Sequence, residues 1–187
     1  MNKYLKNYFY NTISIYENFI EEPATLVLLK NFEKKIIKTK NNNKTFIFGG
    51  NGGSYADALH FSAELTGSLI NRTRQPIKSF VLGANASSLT AISNDYSYKT
   101  ALAREIYPYS KKDFLLILFS TSGRSENVLK LIESSSIDKT NTFIFTGNNF
   151  SKDLNKINIF SFNSNQTSHI QECYKIFLHS VLIKNNF

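Results

Sequence analysis

Five short apolar runs, at 45–48, 79–82, 114–119, 141–145 and 157–160, recur along the chain with a helical or loop stretch between each and the next. Runs such as Phe46-Ile47-Phe48 and Leu115-Leu116-Ile117-Leu118-Phe119 are apolar at successive positions, not at alternate ones. A strand with one face in water would alternate, whereas a continuous run asks for cover on both faces. Strands of this kind alternating with helices predict an α/β fold with a five-stranded parallel sheet between helical layers.

The flanks of that pattern are helical. Leu5, Phe9, Ile13, Tyr16 and Ile20, then Leu26, Leu29, Phe32 and Ile36, recur at helical spacing over residues 4–41, which predicts two helices broken near Pro23. The polar run 38–44, with its asparagine cluster, separates them from the first strand. At the other end, 167–183 places Ile170, Cys173, Ile176, Phe177 and Ser180 on one face, which predicts a closing helix with a core stripe. With 187 residues, 42% of them hydrophobic, the chain suits one well-buried domain over 1–187, with helices at 1–43 and the α/β core at 44–187.

Several classes are excluded. The single cysteine, Cys173, rules out an internal disulfide framework, and the opening stretch lacks the uninterrupted apolar core of a signal peptide, so a cytoplasmic location is expected. No run reaches the ~18 apolar residues of a membrane span, so a soluble protein with no membrane partner is expected. The formal charge of +8 is spread along the chain instead of being gathered on one segment. That distribution argues against nucleic acid as a partner and suits attraction of small anionic substrates.

Two turns have the chemistry to hold an anion. The first run leads into Gly49-Gly50-Asn51-Gly52-Gly53-Ser54 and then a helical stretch. Glycines let backbone N–H groups approach a ligand, and a helix start adds partial positive charge. The order is neither a Walker motif nor a clean dinucleotide fingerprint. The 114–119 run ends in Ser120-Thr121-Ser122-Gly123-Arg124-Ser125, again before a helical stretch. One hydroxyl would suffice as an N-cap; four suggest a phosphate site. Both turns fall at the carboxyl ends of strands, where such sheets bind ligands.

These two turns together resemble the SIS (sugar isomerase) domain family, in which a Ser-Thr-Ser-Gly-x-Ser loop holds a sugar phosphate. Gly50-Asn51-Gly52-Gly53-Ser54 with Asp57, His60, Phe61 and Glu64, then Leu89-Thr90-Ala91-Ile92-Ser93-Asn94-Asp95-Tyr96, then Ile170-Gln171-Glu172 with His179, are similar in order to the phosphoheptose isomerases. The resemblance implies an SIS-type three-layer αβα sandwich that converts sedoheptulose 7-phosphate into a heptose 7-phosphate for lipopolysaccharide or capsule. It implies that Ser120, Thr121, Ser122 and Ser125 hold the phosphate, and that Asn51, Gly52, Gly53, Ser54, Asn94, Asp95 and Gln171 line the sugar. It further implies that Glu64 and His179 are catalytic, that His60, Glu64, Gln171 and His179 form a zinc-binding set, and that the protein is a homotetramer with active sites at subunit interfaces.

The chemistry agrees with that set. Moving a hydrogen between adjacent sugar carbons needs one group to remove a C–H proton and another to serve the neighbouring oxygens. His60 and Glu64, four apart on a predicted helix, share a face. Nitrogen and carboxylate oxygen also suit zinc, a Lewis acid able to polarise a carbonyl. Glu64 is expected to abstract the proton and His179 to act as the complementary acid/base, with His60 and Gln171 holding metal and substrate. Gln171 and His179, eight residues apart, are separated by about 12 Å of rise and roughly 80° of rotation, so they reach one ion only by leaning from opposite ends or from different subunits. Lys175 stands between them where the family usually has an apolar residue, and an inward ammonium would oppose a dication. Ser168, His169 and Tyr174 depart from the family pattern as well. Cys173 is expected to be an inert core thiol.

Two other functions fit the same fold. A non-catalytic SIS protein, such as a factor that associates with the bacterial replication initiator, would not need Glu64 and His179. Another SIS isomerase would act on a different phosphorylated ketose or amino sugar, a choice made by pocket shape.

Overall fold

The computed structural model describes residues 2–67, 73–148, 150 and 157–187. Five strands, β1 Thr45–Gly49, β2 Ser79–Val81, β3 Phe114–Ser120, β4 Thr142–Thr146 and β5 Asn158–Ser161, form one sheet in the order β2-β1-β3-β4-β5. All pairings are parallel. Phe46 lies between Ser79 on one side and Leu115 on the other, and Phe145 between Phe119 and Phe160.

Among the described residues seven α-helices surround the sheet: α1 Lys3–Glu21, α2 Pro23–Asn41, α3 Gly53–Gly67, α4 Ala86–Asp95, α5 Ala101–Ile106, α6 Glu126–Glu133 and α7 Thr167–Lys184. Pro23 opens α2, where its missing N–H costs nothing and its fixed φ suits the first turn. Asn43, at φ 52°, turns the chain out of α2 toward β1. The strand period of two sorts the apolar runs into two cores. Phe46, Phe48, Ile117, Phe119, Phe143 and Phe145 face α1, α2, α3 and α7. Ile47, Leu116, Leu118 and Ile144 face α5 and α6. The result is the three-layer αβα sandwich. Among the described residues no helix is long and apolar enough to cross a membrane.

Two helical stripes are phased differently from expectation. On α1 the buried and half-buried positions are Tyr8, Thr12, Ile15, Tyr16 and Phe19, while Leu5, Phe9, Ile13 and Ile20 are exposed. The inner face is selected by contact with α7. Thr12 Oγ1 lies 2.6 Å from Nδ1 of the buried His169, whose ring stacks on Tyr8, and Phe19 packs on Phe162 and Phe177. On α7 the buried residues are His169, Ile170, Cys173, Tyr174, Phe177, Leu178, Val181 and Leu182, whereas Ile176 and Ser180 are exposed. Apolar residues ring much of these helices, so spacing alone could not fix the phase.

The order β2-β1-β3-β4-β5 makes β1 and β3 neighbours whose following helices lie on opposite faces, α3 on one and α6 on the other. A crevice opens at such a switch point, beyond the carboxyl ends of the strands. Both anion-type turns border it.

Candidate active site

At the end of β3 the chain enters the hydroxyl loop. Gly123 turns it at φ 62°, with its N–H donating to Ser120 O at 2.9 Å. The Ser120 hydroxyl donates to Ser125 Oγ at 3.2 Å, and Ser122 Oγ accepts from Arg124 N at 3.2 Å. Ser125 stands at the N-cap of α6 yet its side chain makes no capping bond, which leaves a hydroxyl and the first helical N–H groups facing the same turn. Thr121 Oγ1 reaches Thr167 Oγ1, at the start of α7, at 3.3 Å. The loop and α7 are thereby joined.

The glycine turn is clamped to this loop by a residue with no signal in the sequence. Asn51 and Asn127 exchange two amide hydrogen bonds, each 2.8 Å long. Asn127 is buried, and its Oδ1 also accepts from Val128 N. The Tyr98 hydroxyl donates to Asn51 Oδ1 at 2.7 Å. Nothing in a lone asparagine two residues past a serine announces such a pair, because the partner is 76 positions away. A cleft of about 150 Å³ opens beside the turn, lined by Gly50, Asn51, Gly52, Tyr55, Gly83 and Tyr98 among others. A larger one, about 440 Å³, lies outside α4, α5 and α6 against Tyr96, Arg104 and Lys130. None of the predicted site residues lines the larger cleft, so convergence of functional groups, not size, locates the site.

The third part is a groove between α3 and α7, which run parallel. Gln171 lies against Gly53, closely enough that a Cβ on Gly53 would come within 2.5 Å of its Nε2. Tyr174 donates to Asp57 Oδ2 at 2.6 Å. His179 Nε2 lies 2.9 Å from His60 Nε2, which is 3.7 Å from Glu64 Oε1. The last turn of α3, which carries Glu64, is held by the Arg74 guanidinium donating to Glu64 O and Leu65 O at 3.1 Å.

The predicted residues thus divide. His60, Glu64 and His179 come together, their ligand atoms all within 4.8 Å of one another. Gln171 sits two turns of α7 away beside the glycine turn, separate from that cluster. Asn51, Gly52, Gly53 and Ser54 occupy the turn itself. Asn94 and Asp95 lie exposed at the end of α4, where Asn94 Nδ2 donates to Asp95 Oδ1 at 2.9 Å. Lys175 points into the groove, 3.1 Å from Glu172 Oε1 and 4.0 Å from Asp57 Oδ1.

Burial pushes the His179 pKa below the ordinary imidazole value; His60 and Lys175 add to that, while Glu64 opposes it. A neutral imidazole results, as a base or a metal ligand requires. Burial, then the bond to Asp57, drives the Tyr174 phenol far upward, so it remains a donor. Burial raises the Cys173 thiol to about 11, which makes it unreactive.

The SIS domain family profile matches residues 7–146, and the chain belongs to that family. Within it, a probable phosphoheptose isomerase of Thermoplasma acidophilum is 36% identical over 173 residues, covering 88% of this chain and 94% of that protein. Phosphoheptose isomerase 2 of Campylobacter jejuni is 40% identical over 134 residues, 71% of this chain and 66% of that one. These likenesses place the chain among the phosphoheptose isomerases. The structure of a phosphoheptose isomerase from Francisella tularensis shares the fold, with a TM-score of 0.83 over 97% of this chain and 96% of that one at 21% identity.

Proposed function

We propose that this protein is an aldose-ketose isomerase that converts sedoheptulose 7-phosphate to D-glycero-D-manno-heptose 7-phosphate in heptose biosynthesis. The observation that carries the reading is the convergence of Glu64, His60 and His179 in a groove whose other end, through Gln171 and Thr167, meets the glycine turn and the hydroxyl loop. The loop hydroxyls and the N–H groups opening α6 take the phosphate, while Asn51, Ser54 and Gln171 orient the hydroxyls of the chain.

The Glu64 carboxylate removes a proton from C1 of the ketose, and the released electron pair forms the C1–C2 double bond. The neutral His179 imidazole gives its N–H proton to the C2 carbonyl oxygen, leaving an enediol and an imidazolate that takes its proton back from O1. Return of a proton to C2 and loss of one from O1 complete the aldose, with both residues restored. His60 Nε2 faces His179 Nε2 at 2.9 Å, so the two imidazoles share a proton between them. Two imidazole nitrogens and a carboxylate oxygen form the donor set of a catalytic zinc centre with three protein ligands. Held by His60 and His179, with Glu64 as a ligand only while it is not serving as the base, zinc would supply Lewis-acid polarisation of the sugar carbonyl.

The uncovered apolar row of α1, Leu5, Phe9, Ile13 and Ile20, supports self-association, and a homotetramer with sites at subunit interfaces belongs to the same reading. So do a cytoplasmic location and a single SIS domain over 1–187, whose N-terminal helices share one core with the sheet. A non-catalytic role is disfavoured because Glu64 and His179 are both present and adjoining. Incubation of the purified protein with a panel of ketose phosphates, with zinc and with chelator, tests the proposal. Turnover of the seven-carbon ketose above the five- and six-carbon ones is expected, and no turnover of any of them would sink it.

A further inference from the structure

The groove between α3 and α7 holds a cation that the isomerisation just described does not use. The two helices meet in three rungs: Gln171 on Gly53, Tyr174 and Lys175 on Asp57, and His179 on His60. Lys175 precedes His179 by one turn of α7, so their side chains leave the same face about 6 Å apart.

Its ammonium is held by two carboxylates. Lys175 is 31% exposed; Asp57 faces it from α3, and Glu172, itself exposed, lies three residues back on α7. Asp57 is itself 14% exposed and anchored through Oδ2 by the hydroxyl of Tyr174, which is fully buried. The phenol fixes the carboxylate, and the carboxylate fixes the ammonium one rung from the His60, Glu64 and His179 cluster. Three carboxylates, Asp57, Glu64 and Glu172, would otherwise give the groove an uncompensated negative field. Between charges less than ~10 Å apart and partly shielded from water, such a field is weakly screened.

We propose that Lys175, positioned by Asp57 and Tyr174, sets the divalent-cation affinity of the His60, Glu64 and His179 cluster and holds it weak. Its biological meaning rests on the isomerase reading of that cluster, but its test does not involve turnover. The chelator-treated protein and its variants are titrated with Zn²⁺ against a chromophoric competitor. K175M tightens zinc binding 10- to 100-fold, K175R stays within threefold of the parent, and D57N weakens binding. In H60A/K175M the gain disappears, which locates the ion at the cluster. The gain also shrinks as salt is raised.

Zinc affinity of K175M within threefold of the parent overturns the proposal, as does a gain that survives loss of His60, or no zinc binding by any variant. Should K175M fail to fold, K175Q, which keeps length and polarity without charge, carries the same comparison. A protein that shows the affinity shift but turns over no sugar phosphate would defeat the isomerase reading while leaving the charge effect standing.

Discussion

The Nε2 atoms of His60 and His179, 119 residues apart in the chain, face each other at 2.9 Å across parallel helices. Only one of the two nitrogens can present hydrogen to the other, so the pair shares a proton unless an ion replaces it. Glu64, one turn beyond His60, brings a carboxylate oxygen to 3.7 Å from His60 Nε2.

Replacing Glu64 by Gln keeps shape and hydrogen bonding but removes the base. Turnover is expected to fall by about 10²- to 10⁴-fold, with ketose phosphate binding and melting temperature close to those of the parent. Steady-state kinetics beside equilibrium binding check this; undiminished kcat would reassign the base.

The pH dependence follows from His179. Its folded pKa lies below the ordinary value of 6.5, so the imidazole is neutral at pH 7 and stays so somewhat below 6.5. The acid limb of kcat/KM assigned to it is expected below pH 6.5. Stability follows the same sign: as pH falls through 6.5 the unfolded chain takes the proton first, and this residue's contribution declines. A melting series from pH 8 to 5, compared with His179→Gln, isolates the effect.

Asn127→Ala removes both bonds of the amide pair, leaving the Asn51 Nδ2 donor without its acceptor in a partly buried position while Oδ1 keeps the Tyr98 hydroxyl. The cost is expected at about 1–3 kcal/mol, read by urea denaturation, with a raised KM because the two anion-binding turns lose their fixed spacing. A variant as stable as the parent would show that the clamp carries no strain-free energy of its own.

Gly53→Ala and Gly50→Ala separate function from folding. A methyl group on residue 53 meets the flexible end of Gln171, whereas one on residue 50 meets backbone atoms of Ser54 at 2.9 Å and of Phe119 at 3.1 Å. The first is expected to fold normally and lose activity through a displaced Gln171. The second is expected to lose stability, as judged by thermal melting of both proteins side by side.

Continuous apolar runs such as Leu115 to Phe119 specify a doubly covered parallel sheet, and Pro23 specifies where one helix gives way to the next, because both act through backbone geometry and local burial. The hydroxyls of Ser120 to Ser125 and the four-residue spacing of His60 and Glu64 are equally local, so these pieces of the candidate site were visible as local patterns. The partnership of Asn51 with Asn127, the inward phase of α1 set by Thr12 and His169, and the anchoring of Lys175 by Asp57 were not. Each depends on which faces of distant helices meet. That is settled by packing of the whole sandwich, in which a stripe of apolar residues fixes that a helix must be covered, but only its neighbours fix at what rotation and register.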